Sequence, residues 1–383
     1  MSSAGELVAG GGRDLEMLKR EVQDRAERGK PPLGGISAED AREALAAIDT
    51  LDRDTWARAF STVAEKYERE ARENETRDAP RAARAWWNAW RLFHFARWPT
   101  ENAPAKLQAK ERALQAFRKY AQLLEPAIET VRIPFEGGQI VGYLRLPAGV
   151  RRPPLVFGIA GLDSRKEDVV AHSESYLQQG FGVFAVDLPG TGESPIAPAT
   201  PDSDRLFSAA LDYLTERSDI DGRRIVVQGR SWSGYWAAKL AITERARLCG
   251  SIMHGGPIHG YFQRNWMTES LQTPEYLYDY LEAKCAMFGA NDLNELVERA
   301  SAYSLLNAGL LDSASAPMLL VNGAHDSQIP IADLYLLLEH GDAKEAWVNP
   351  RGGHMGRSPE WPPSAIAERV LLPWIHKVTT IQA

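Results

Sequence analysis

The chain has 383 residues, 44% of them hydrophobic and 25% charged, with a formal net charge of −7. That length suits two domains, or one large domain with insertions, and can bury a core without staples. The acidic balance argues against a nucleic-acid partner, the two cysteines exclude a disulfide framework, and no apolar run approaches the ~20 residues of a membrane helix. The N-terminus lacks an apolar leader core, so a cytoplasmic protein with no membrane partner is expected.

Residues 1–36 read as a flexible or partly helical segment. Gly10, Gly11 and Gly12 offer nothing to bury, so the chain before about Asp14 is expected to lack structure. Residues 13–28 fit a charged, solvated helix ended by Gly29 and the Pro31-Pro32 pair. From 37 to 125 the apolar period is helical. Ser37, with Glu39 and Asp40 behind it, reads as a helix start. Trp56, Phe60, Val63 and Tyr67 recur at helical spacing, as do Ala83, Trp87, Trp90 and His94. Leu107, Leu114, Phe117 and Ala121 mark a third long helix. The expectation is a helical cap domain.

Residues 126–383 change character. Two short β-type runs, 130–135 and 139–146, flank Glu136-Gly137-Gly138, a hairpin signal, and Pro134 places the first at a sheet edge. Short apolar runs at 155–159, 182–186, 224–228, 249–253, 318–322 and 345–349 then alternate with helical stretches. That pattern predicts an α/β fold whose mostly parallel, doubly wound sheet is covered on both faces. The residues at about 255–316 are too many for one crossover and read as a helical insertion.

The chemistry is carried by Gly229-Arg230-Ser231-Trp232-Ser233-Gly234, between a predicted strand and a predicted helix. A sharp strand-to-helix turn needs small residues around the serine, and it aims the Ser231 hydroxyl out of the sheet. It also sets the backbone N–H of Trp232 beside the attacked carbonyl. A serine hydroxyl needs a base to take its proton. In the chain order Ser…Asp…His, Asp326 follows the strand at 318–322, and His354 follows the last strand in Arg351-Gly352-Gly353-His354. His325, next to Asp326, is the main rival base. A second oxyanion donor is expected from Leu162, in the Gly161-Leu162-Asp163-Ser164 turn. The glycine-rich run from Asp187 to Ser194 lacks a Gly-Lys-Ser/Thr and reads as a structural turn. Asp163, Arg165, Lys166 and Glu167 read as an ion-pair cluster shaping the oxyanion loop. Arg230, His259, Tyr261 and Trp266 are substrate-binding candidates near strand ends. On the aromatic helix most rings should be core, with Trp90 and His94 the candidates to line a pocket. No metal-ligand spacing is present, so neither a metal nor a cofactor is expected.

With these residues the chain resembles an α/β-hydrolase. More narrowly, it is similar to the group of bacterial fermentation–respiration switch proteins, 2,6-dihydroxypseudooxynicotine hydrolase and the fungal hydrolases that shorten polyketides. The likeness rests on Gly161-Leu162-Asp163-Ser164-Arg165-Lys166-Glu167, Asp187-x-Pro189-Gly190-x-Gly192, the elbow with Arg230, Gly255-Gly256-Pro257-Ile258-His259 and the two late loops. It implies a Ser231–Asp326–His354 triad, an oxyanion hole from Leu162 and Trp232, and a helical cap over the sheet. It further implies an acyl hydrolase of a bulky aromatic or polyketide-like small molecule, with members that cut carbon–carbon bonds beside ketones as well as esters. Ser233 stands where the family has glycine, and Ala160 where relatives often do; neither removes a catalytic group. Other readings are a carboxylesterase of broad specificity, an acyltransferase, and an inactive regulatory or binding protein of the same fold. The small-molecule substrate is the expected partner, and a homodimer stays open.

Overall fold

The computed structural model describes residues 5–381. They form two compact units, Met1–Ala127 with Leu271–Ala283, and Ile128–Ser270 with Lys284–Ala383.

The first unit contains helices α1 (Leu15–Glu27), α2 (Ala38–Ala46), α3 (Arg53–Asn74), α4 (Ala79–Ala96) and α5 (Pro104–Gln122). Asp14, Ser37, Asp52 and Asp78 cap the first four, each side chain accepting a backbone N–H of the first turn. Helices α3, α4 and α5 pack on one another through the apolar stripe read from the sequence, with Trp56, Phe60, Trp90 and Phe117 buried. The glycine-rich start departs from the expectation of a structureless segment. Leu7 and Gly10 are buried, and β-bridges join Glu6 to Asp52 and Ala9 to Tyr278. Backbone pairing needs no side chain, and the missing Cβ is what allows it here. A Cβ on Gly10 would lie 2.0 Å from the Tyr276 carbonyl oxygen. Buried Asp279 joins these pieces by accepting from Val8 N (2.9 Å) and pairing with Arg53 (2.9 Å) and Lys106 (3.3 Å). The residues at 271–283 therefore belong to this unit, whereas the sequence placed them in one insertion at about 255–316.

The second unit is built on eight strands: β1 (Glu129–Phe135), β2 (Gly138–Arg145), β3 (Leu155–Ile159), β4 (Gly182–Val186), β5 (Ile225–Arg230), β6 (Gly250–His254), β7 (Met318–Gly323) and β8 (Glu345–Asn349). Their order is β1-β2-β4-β3-β5-β6-β7-β8. Strands β3 to β8 run parallel, while β2 is antiparallel to both β1 and β4. Pro134 sits on edge strand β1, where a missing N–H breaks no inner ladder. Strands β3, β4, β6 and β7 are buried throughout, as strands covered on both faces must be.

The helices are α6 (Lys166–Ala171), α7 (Glu174–Gln178), α8 (Arg205–Glu216), α9 (Gly234–Thr243), α10 (Arg264–Glu269), α11 (Tyr280–Phe288), α12 (Leu293–Ser301), α13 (Ile331–Glu339), α14 (Pro363–Ile366) and α15 (Leu372–Ile381). The sheet order places β3 between β4 and β5, so successive crossovers leave β3 in opposite directions. Open parallel sheets bind ligands outside the C-terminal ends of strands at such a switch point. The loops after β3 and β5 are the ones carrying Leu162 and Ser231. Among the described residues no helix is long and apolar enough to cross a membrane.

Candidate active site

Strand β5 ends at Arg230, and Ser231 follows in the left-handed region at φ 56°. A non-glycine residue there is strained and persists only where its surroundings hold it. Three contacts do so. A Cβ on Gly229 would lie 2.1 Å from the Ser233 carbonyl oxygen, so the turn closes only over a glycine. Gly234 and Gly256 face each other at a distance that also excludes Cβ atoms. The Ser233 hydroxyl accepts from Arg230 N (2.7 Å) and lies 2.8 Å from the Ile159 carbonyl, to which it donates. Ser233, the family's glycine, therefore ties the elbow to β3. The match to the usual pattern is loosened in sequence but not in geometry.

The Ser231 Oγ lies 2.6 Å from His354 Nε2, and His354 Nδ1 lies 2.8 Å from Asp326 Oδ2. A carboxylate can only accept, so Nδ1 carries the hydrogen and the lone pair of Nε2 faces the hydroxyl. Asp326 and His354 are buried. Burial alone would raise the Asp326 carboxyl; the His354 ring and the backbone N–H groups of Ile329 and Gln328 outweigh it and hold it below its ordinary value. Its other oxygen, Oδ1, accepts from Gln328 N (2.8 Å) and Ile329 N (3.0 Å), so one side chain both shapes the loop and orients the imidazole. The rival base, His325, is exposed.

The loop after β3 closes on the elbow. A Cβ on Gly161 would lie 3.1 Å from the Arg230 carbonyl oxygen and 3.3 Å from Ser231 Cβ, which sets this loop against the nucleophile candidate. Gly161 N donates to Ser164 Oγ (2.8 Å), while no hydrogen bond is found for the backbone N–H of Leu162 or of Trp232 among the described residues. Trp232 opens a helical turn, where N–H groups have no intrahelical acceptor. Two unpaired donors thus border the serine. Behind them Lys166 Nζ is 2.8 Å from Asp187, 2.8 Å from Glu193 and 3.0 Å from Glu167. Burial pushes the Glu167 carboxyl up, whereas at Asp187 the Lys166 charge overcomes burial and lowers it. Asp187 also accepts from Lys166 N (2.9 Å) and Glu193 N (2.9 Å), so the glycine-rich run is a structural turn wrapped round one carboxylate.

Two side chains hold the loop of His354: Asn322, which the sequence did not single out, and His254, which reads from the sequence as a lower-ranked ligand candidate just after a strand. Met355, directly after His354, is also left-handed (φ 62°). Asn322 Oδ1 accepts from Met355 N (3.0 Å), and His254 Nε2 donates to the Met355 carbonyl (2.9 Å). Both side chains are buried at the ends of β7 and β6. No local signal gives their partner, because the contact spans 33 residues in one case and 101 in the other.

The remaining candidates disperse. His259 Nδ1 pairs with Ser304 Oγ (2.7 Å), and Trp266 Nε1 donates to the Gln328 carbonyl (3.1 Å). Tyr261 is buried and packs on Phe262, whose ring neighbours that of Trp232. Asp333 gathers the N–H groups of Ile258, His259, Gly260 and Tyr261 and fixes their loop. In the first unit Trp90 is wholly buried against Trp87 and Phe117, and His94 Nε2 faces Arg97 at 2.8 Å. Both have the packing of core residues.

A family model described as FrsA-like, "Esterase FrsA-like", matches residues 39–347. The Esterase FrsA of Vibrio parahaemolyticus serotype O3:K6 is 26% identical over 260 residues, covering 66% of this chain and 62% of that protein. The alpha/beta hydrolase ucsC of Acremonium sp is 27% identical over 263 residues, covering 61% of this chain and 53% of that one. The chain thus spans between about half and two thirds of the length of these relatives. Among solved structures, 2,6-dihydroxy-pseudo-oxynicotine hydrolase aligns over 91% of this chain and 94% of its own at a TM-score of 0.75 and 23% identity. AbyA5 aligns over 97% and 95% at a TM-score of 0.71 and 22% identity. The fold is the one these two structures share.

Proposed function

The chain belongs to the FrsA-like esterase family, and from that premise we propose that it is a serine hydrolase cleaving an acyl bond in a bulky aromatic or polyketide-like small molecule. The observation that carries this reading is the hydrogen-bonded series from Ser231 through His354 to Asp326. Ser231 attacks a carbonyl as His354 takes its proton. Asp326 holds the ring and balances the imidazolium. The tetrahedral oxyanion lies against the N–H groups of Leu162 and Trp232. Collapse of the intermediate expels the leaving group, which takes the proton from His354. Water then repeats the sequence on the acyl-enzyme.

Ester cleavage is the first reading, since the alkoxide that leaves needs only that one proton. Cleavage of a carbon–carbon bond beside a ketone is the second. It is favoured by the structural likeness to 2,6-dihydroxy-pseudo-oxynicotine hydrolase and requires a substrate that delocalises the departing carbanion.

The test is a fluorophosphonate probe together with a panel of aryl esters and aryl β-diketones, run on the parent and on Ser231→Ala. Labelling of the parent alone, with turnover lost in the variant, is expected. Equal turnover by the two proteins would sink the mechanism. A folded parent that resists labelling would favour a binding role.

A further inference from the structure

Arg230 stands at the end of β5, one residue before Ser231, with its side chain partly open. Among the described residues its guanidinium makes no hydrogen bond and no ion pair; the hydrogen bonds of this residue are those of its backbone to Ser233 Oγ. Two other deep cations of the same unit have carboxylates: Lys166 has Asp187 at 2.8 Å, and Arg145 has Glu174 at 3.2 Å. A guanidinium that stays accessible and has no counter-charge within the protein is open to an anion from outside.

The surroundings do not supply it. The register partner of Arg230 on β6 is His254, whose Nε2 hydrogen is already given to the Met355 carbonyl (2.9 Å). Across the base loop, Arg357 Nε donates to the His354 carbonyl (2.9 Å), which brings a second guanidinium to this rim. Tyr176 is engaged by Gln228 at 3.0 Å. Burial lowers the Arg230 pKa, with Tyr176 and Asp168 opposing that at longer range and Arg357 adding to it. In a chain of net charge −7, two guanidinium groups thus lie close to the loops that carry Ser231 and His354.

We infer that Arg230 receives an ionised oxygen group of the substrate, carried close to the carbonyl that Ser231 attacks. The planar fork of a guanidinium pairs with a carboxylate in two parallel hydrogen bonds, and with an ionised phenol or enol in one or two. The inference rests on the serine-hydrolase reading and narrows its substrates to anionic acyl compounds. Because the charge is present before and after attack, the contact acts mainly on substrate binding and so on KM.

The experiment uses aryl esters matched in all but one substituent: a carboxylate, its methyl ester, an ionisable phenol and its methyl ether. The parent is expected to favour an ionised member over its neutral twin by about 10-fold or more in kcat/KM. Arg230→Met should lose that preference chiefly through KM, and Arg230→Lys should keep part of it. The pair that shows the preference identifies the source of the charge. Fluorophosphonate labelling of Ser231 in each variant reports a folded site. The inference is overturned if the parent ignores charge in both pairs. It is overturned equally if Arg230→Met slows charged and neutral esters by one common factor, because the guanidinium would then only pack against its neighbours. A parent that fails to label removes the serine-hydrolase reading and this inference together; labelling without charge preference removes only the latter.

Discussion

The loop carrying His354 offers the sharpest test of how the site is held. Met355 occupies a left-handed conformation, φ 62° and ψ 21°, that costs an L-residue roughly 1–2 kcal/mol. Its N–H and C=O are each taken by a buried side chain, Asn322 at 3.0 Å and His254 at 2.9 Å. Asn322→Ala leaves the Met355 N–H buried and unpaired, a loss of about 1–3 kcal/mol. That sum is comparable to the strain it restrains, so the loop should relax and carry the imidazole off the Ser231 hydroxyl. Converted to populations, the same range is a factor of about 5–150. The expected result is a kcat for an aryl ester lowered by about 10- to 100-fold, a much smaller change in KM, and melting lowered by several degrees. The assays are steady-state kinetics, a pH–rate profile and thermal unfolding. A variant that melts earlier but keeps kcat within about twofold of the parent would refute the reasoning, since the clamp would then stabilise the fold without positioning the base.

Three other expectations follow from the same geometry. Gly161→Ala places a methyl 3.1 Å from the Arg230 carbonyl oxygen and 3.3 Å from Ser231 Cβ; the loop carrying Leu162 must retreat by a few tenths of an ångström. Turnover should fall by about 10-fold or more with the fold retained by circular dichroism, and an unchanged kcat would argue against an oxyanion role for this loop. Asp326→Asn should lower kcat by about 10⁴-fold, because an amide can donate to Nδ1 and so stabilise the wrong tautomer; a loss under tenfold in kinetics would place the orienting role elsewhere. His254 is held neutral, its pKa pushed down to about 3, first by burial and then, against the Met355 carbonyl, by Arg230 and Arg357. A depressed pKa means that the unfolded chain binds the extra proton first. The stability tied to this group is therefore present above the ordinary value of 6.5 and is lost as pH falls from there towards 3. Between pH 6.5 and 5 the loss from this one group should reach about 2 kcal/mol in denaturant titrations, and His254→Gln should flatten that slope; an identical slope in both proteins would contradict it.

Much of this protein was legible locally. Alternation of short apolar runs with helical stretches located the parallel strands, since a strand buried on both faces has no polar side to vary. Pro134 marked the edge because a missing N–H is tolerated there. The elbow announced itself through glycines at 229 and 234 that a tight turn leaves no choice about, and the late loops through the order in which the acid and the base follow. The glycine-rich start is the converse case: glycine has no side chain to bury, yet its lack of a Cβ is what lets the backbone at Gly10 approach the Tyr276 carbonyl. Trp90 and His94 were read as candidates to line a pocket because periodicity shows that a helix face is covered but not by what; the covering is the rings and guanidinium of their own unit.

The amino-acid sequence by itself determined the alternating architecture, the sharp turn at Ser231 and the choice of Ser231, Asp326 and His354 as candidates, because each depends on backbone conformation or side-chain chemistry within a few residues. Only the tertiary structure decided that Asn322 and His254 hold Met355, that Asp333 serves a loop, that 271–283 joins the helical unit, and, among the described residues, which N–H groups beside Ser231 lack acceptors and that Arg230 lacks a counter-ion. Those are properties of partners brought together across the sheet, and whether a partner is present or missing cannot be read from either residue alone.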